Sequence, residues 1–144
     1  MGRFGEMAGI EPIDEERVFE EEWVLVSQTD LEGNILYANK KFREVSGYTY
    51  EELIGKPHNI VRHPDMPKTV FVKMWEAIQS GKVFNATIKN LCKDGKYYWV
   101  DLEILPIKDE NGNLENYMAT ATASSRTNIE ETQGLYQQMK ESEK

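Results

Sequence analysis

Cysteine occurs once in this 144-residue chain, at Cys92, and histidine only twice. A single thiol excludes a disulfide framework, and two histidines without a second cysteine exclude a zinc-type cluster. No stretch approaches the roughly 20 consecutive apolar residues of a membrane-crossing helix, and the opening residues lack the basic-then-apolar layout of a secretory signal. Positive charge is also scarce: 17 Lys and Arg stand against 25 Asp and Glu, a net charge of −8. The acidity is concentrated, with residues 1–24 carrying −6 and the stretches 25–124 and 125–144 carrying −1 each. Without clustered cations, neither nucleic acid nor an anionic membrane surface is a fitting partner. No Gly-rich phosphate loop or nucleophile elbow occurs. These absences lead to the expectation of a cytoplasmic chain that is not an enzyme, with no metal site, no catalytic residue and no direct membrane insertion.

What is present is material for one core, 40% apolar and 10% aromatic residues, with no room for a second domain. Residues 1–22 are expected to form an acidic cap segment in which 11–22 is a short amphipathic helix presenting Ile13, Val18 and Phe19. Residues 23–29 read as a strand, Asp30 to Asn34 as a turn, and 35–38 as its hairpin partner. Asn39 suits the N-cap of a helix that stops at Gly47, and Thr49 with Glu52 forms a capping box for a second short helix. After an irregular stretch between Pro57 and Pro67, the spacing of Val70, Phe71, Met74, Trp75 and Ile78 predicts a helix over 68–80. Asp65 suits its N-cap.

The last third alternates with period two. Phe84, Ala86, Ile88, Asn90 and Cys92 share one face of a strand, and Tyr98, Val100, Leu102 and Ile104 share the inner face of the next. A third strand runs from Leu114 to about Ala123, where small side chains leave space against the helices. Residues 125–144 form a polar helix or tail. Trp99 points outward and needs cover, which the N-terminal segment or a second copy would supply. The pattern predicts an α+β fold: a five-stranded antiparallel sheet with short helices on one face, an N-terminal cap segment and a C-terminal helix.

Gly33-Asn34, Asn39, Ser46-Gly47-Tyr48, Glu52-Leu53-Ile54-Gly55 and Lys93-Asp94-Gly95 before Tyr98-Trp99-Val100 together resemble a PAS sensor domain over residues 23–124. The loop Pro57-His-Asn-Ile-Val-Arg-His-Pro-Asp-Met-Pro67 is more specific and is similar to that of the FAD-binding PAS domains of the bacterial aerotaxis-receptor, or energy-taxis, family. The resemblance implies noncovalent FAD, with binding roles for Arg62, His63 and Asp65, and with Asn39, Phe71 and Asn90 as further pocket residues. His58, Trp75 and Phe84 complete the expected set. Phe84 stands where the family has tryptophan; a phenyl ring still packs but offers no indole N–H. The resemblance also implies redox or oxygen sensing, conformational signalling to a chemoreceptor-type partner, and a homodimer.

Each residue has a plainer role as well. Arg62 and His63 fit a surface turn, Asn39 a helix cap, Phe71 and Trp75 a core, and Asn90 a bond to a neighbouring side chain. A haem-binding gas sensor using either histidine as axial ligand, or a ligand-free PAS dimerisation module, remains open. The stretch His58 to His63 contains no cysteine, and Cys92 suits a buried filler, so a light-driven cysteinyl adduct is not expected.

Overall fold

The computed structural model describes residues 9–144. Strands β1 (Leu25–Thr29) and β2 (Ile35–Ala38) form a hairpin. Two short helices follow, α1 (Lys40–Ser46) and α2 (Tyr50–Leu53), then a 3-10 turn at His58–Val61 and the helix α3 (Lys68–Gln79). Strands β3 (Phe84–Leu91), β4 (Tyr97–Lys108) and β5 (Leu114–Ala123) form a meander, and α4 (Arg126–Ser142) ends the fold. The sheet order is β2-β1-β5-β4-β3, with every pair antiparallel. This is the expected five-stranded sheet with short helices and a C-terminal helix.

Local chemistry accounts for the helix ends. The Asn39 side chain accepts from the Phe42 N–H, and Gly47 leaves α1 with φ of 83°. The Thr49–Glu52 capping box closes α2 in both directions. Asn39 also joins α1 to the sheet, because its carbonyl accepts from the Val26 N–H and its amide donates to the Val24 carbonyl.

The inner sheet face and the helices enclose two apolar clusters. The larger contains Leu25, Ile35, Phe42, Val45, Leu53, Ile88, Tyr98 and Val100. The smaller contains Ile78, Ile104 and Tyr117, with Met74 and Trp75 against it. Each buried aliphatic side chain contributes about 1.5–3 kcal/mol, so both clusters press α3 and the earlier helices onto the sheet.

The acidic segment differs from expectation. Residues 11–22 form no helix; the chain runs extended beside the start of β4, with a parallel bridge between Glu16 and Tyr97. The Ile13 N–H donates to the Gly95 carbonyl, the Tyr97 N–H to the Glu15 carbonyl, and the Arg17 N–H to the Tyr97 carbonyl. These bonds to a distant strand satisfy the segment's backbone without a helix. Val18 is 75% exposed, whereas Phe19 turns inward and meets Tyr98 edge-on.

The outer sheet face is crossed instead by α4. The Tyr136 hydroxyl donates to the Thr87 carbonyl at 2.6 Å, and the Asn128 amide reaches Thr87 Oγ1, Asp101 Oδ1 and Ser124 Oγ. Ile129 is buried, as is Trp99 on that face. No helix among the described residues is long and apolar enough to cross a membrane.

Candidate functional site

A partly open cavity of about 120 Å³ lies between α3 and the inner sheet face, bordered by both apolar clusters. Period two brings Ile88 and Asn90 from β3, Leu102 and Ile104 from β4, and Tyr117 and Ala119 from β5 to one wall. Helical spacing brings Phe71, Met74, Trp75 and Ile78 to the opposite wall. The polar groups come from the end of β1, Thr29, and from the chain between the hairpin and α3, His58, Asn59 and Arg62, with Asn90 from β3.

Arg62 is the dominant polar feature. It is only 5% exposed, and its guanidinium carbon lies 4.3 Å from the centroid of the Phe71 ring. Burial holds its pKa below the ordinary value, with the Glu143 carboxylate acting in opposition. A backbone bridge joins Arg62 to Asn90, so the loop continues the β3 edge at the cavity. Asn90 offers a donor and an acceptor on one rigid amide. His58 partners Ser27 Oγ through Nε2 at 3.1 Å and stands edge-on to Phe42. Burial pushes its pKa down.

Five of the expected binding residues therefore share one cavity: His58, Arg62, Phe71, Trp75 and Asn90. The other four lie outside its lining. His63 alternates away from Arg62 and is buried with its ring edge-on to Tyr97. Its Nδ1 accepts from the Asp65 N–H, and burial, then the Lys89 charge, lowers its pKa to about 4. Asp65 does not cap α3; its carboxylate pairs with Lys89 Nζ at 2.8 Å. The Asn39 side chain is occupied by the α1 cap and the β1 backbone. Phe84 packs against both core clusters. Cys92 also lies outside the lining, donating to the Val45 carbonyl, with its thiol pushed up to about 11 by burial.

Several lining residues escaped the sequence reading. Tyr117 and Ala119 could have been found from the inner-face parity of their strand, and Met74 from its helical spacing beside Phe71 and Trp75. Asn59 carried no local signal; the 3-10 turn places it beside His58 at the cavity.

The lining chemistry fits a flat conjugated ring with a polar edge: apolar walls, and an amide and a guanidinium brought together at one side. The volume is close to that of a cavity of about 150 Å³ that holds one benzene ring. Among the described residues no group of three or more His, Cys, Asp or Glu is placed to hold a metal ion.

Comparison with known proteins agrees with this architecture. The chain is 43% identical to the aerotaxis receptor of Escherichia coli (strain K12) over 112 residues, covering 78% of this chain and 22% of that protein. It is 30% identical to the nitrogen fixation regulatory protein of Klebsiella pneumoniae over 96 residues, covering 67% of this chain and 19% of the relative. The chain thus spans about a fifth of the length of these curated relatives. A light-oxygen-voltage domain solved in a study of a flavin analogue superposes with a TM-score of 0.65 at 23% identity, covering 84% of this chain and 87% of that one. The family described as PAS fold matches residues 35–121, and the chain belongs to the PAS family.

Proposed function

We propose that the chain is an FAD-binding redox sensor of the energy-taxis kind, signalling by conformational change to a chemoreceptor-type partner. The observation that carries this reading is the convergence of buried Arg62, stacked on Phe71, with Asn90 at the edge of an apolar slot. In the proposal Trp75, Met74 and the β3–β5 wall hold the ring faces, Asn90 meets the polar edge, and Arg62 supplies a fixed cation for a phosphate. The cofactor supplies electron-transfer chemistry when bound. The protein binds, orients and excludes water.

His63 and Asp65 act in this reading from behind the loop, through their contacts with Tyr97 and Lys89. Asn39 anchors α1 to β1, and Phe84 supports the wall between the two clusters. Work in the cytoplasm and as a homodimer belong to the same proposal.

A second reading, a PAS module that holds a small ligand or none, is favoured by the cavity volume of about 120 Å³. The visible spectrum of protein expressed in flavin-rich cells separates the two. A yellow protein bleached by dithionite supports flavin. A colourless protein that added FAD cannot colour overturns it, and an intense Soret band would establish haem instead.

A further inference from the structure

The first turn of α3 receives no cap from its own loop, because Pro67 stands at the cap position. Its N–H groups are taken by a residue 75 positions away. Glu143 Oε1 accepts from the Lys68 N–H at 3.1 Å, while Oε2 accepts from the Thr69 N–H at 2.9 Å and from the Thr69 hydroxyl at 2.7 Å. Within the last turn of α4, Lys140 Nζ donates to the Pro64 carbonyl at 2.6 Å. The loop that carries Arg62 is therefore held at Pro64, and the first turn of α3 at Lys68 and Thr69, by the end of a helix whose body lies on the opposite face of the sheet.

A carboxylate at a helix N-terminus satisfies orphan N–H donors and complements the helix dipole. The Thr69 N–H accordingly holds the Glu143 carboxyl below its ordinary range. Phe71 lies in the turn so capped, and Arg62 packs on Phe71. Fraying of that turn would shift the ring on which the guanidinium rests.

We propose that Glu143 and Lys140 are positioning residues for the cavity, so that occupancy of the cavity and docking of the α4 C-terminal end strengthen each other. The inference rests on FAD occupying the cavity, as set out above. Linkage makes the effect reciprocal: whatever the docked end adds to FAD affinity, bound FAD returns to docking.

The test is FAD titration into the full chain and its Glu143→Ala, Lys140→Ala and Lys73→Ala variants, with amide exchange on the wild type with and without FAD. Glu143→Ala is expected to weaken FAD binding about fivefold, the lower end of typical coupling. Lys140→Ala should change it in the same direction, and Lys73→Ala, exposed on α3, should not change it. Bound FAD should slow exchange over residues 138–144, which a purely structural cap would not produce. Unchanged affinity in Glu143→Ala, or unchanged exchange at 138–144, overturns the inference while leaving FAD binding intact. A wild type that binds no FAD overturns the functional reading, and this inference with it.

Discussion

The guanidinium of Arg62 lies over the ring of Phe71 at 4.3 Å, in a position only 5% exposed, at the cavity that five expected binding residues share. Buried cation–π contacts are worth up to about 2 kcal/mol, and the planar fork of arginine is what permits stacking. Arg62→Lys is therefore not conservative. It should lower FAD affinity about tenfold, with unfolding still cooperative, as read by fluorescence titration and thermal denaturation. Wild-type affinity in Arg62→Lys would remove Arg62 from the site.

Gly95 makes the extended N-terminal segment possible. Its φ is +97°, and a Cβ there would lie 2.5 Å from the Glu11 carbonyl oxygen. Gly95→Ala should cost about 1–3 kcal/mol through backbone strain and lost docking. Urea unfolding measures the cost, and limited proteolysis should show earlier cleavage within residues 11–17. Unchanged protection there would mean that the Gly95 and Tyr97 backbone bonds do not hold the segment.

The fate of that segment shows what the sequence could and could not disclose. Ile13, Val18 and Phe19 look like a sparse helical stripe, but the segment's conformation is set by backbone bonds to Gly95 and Tyr97, some 80 residues away. Features dictated locally were legible: the Thr49–Glu52 capping box, the Asn39 cap, and the alternation that places Ile88, Asn90, Leu102 and Ile104 on one face. Loop orientation was not. In the irregular stretch between two prolines, no periodicity states whether Arg62 or His63 faces inward, and one residue of offset separates cavity from back wall. The Glu143 cap was equally hidden, because Asp65 is the nearer candidate and its carboxylate is claimed by Lys89.

His63 gives the fold a dependence on acid. Its pKa, about 4, is depressed by burial first and then by Lys89 and Lys140, with Asp65 opposing. A depressed histidine is neutral in the native state, so the unfolded chain binds the proton first as pH falls below about 6.5. The stabilisation is full above that value and is lost as pH falls toward 4. Between pH 7 and pH 5 the His63 contribution to stability should fall by about 2 kcal/mol, on top of a loss of the same sign from buried His58. Urea unfolding at the two pH values should show a smaller loss in His63→Gln than in wild type. An equal loss would show that His63 does not titrate as described.

Docking of α4 depends on a small polar hub. The Asn128 amide contacts Thr87, Asp101 and Ser124, and the Ser125 hydroxyl caps the helix through the Asn128 N–H. Asn128→Ala should destabilise the domain by about 1–2 kcal/mol and accelerate amide exchange over 126–136, with the β3–β4 amides less affected. Uniform acceleration across the sheet would mean that α4 does not open separately.

The space between α3 and the inner sheet face is the proposed FAD site. Ala119 lines that space from β5, so Ala119→Phe should fill it from the wall opposite Trp75. Isothermal titration of FAD into wild type and Ala119→Phe is the most direct measurement. One FAD per wild-type chain and none in the variant is the expected result, with both folded by circular dichroism. Equal FAD binding by the two proteins, or no binding by wild type, would contradict it.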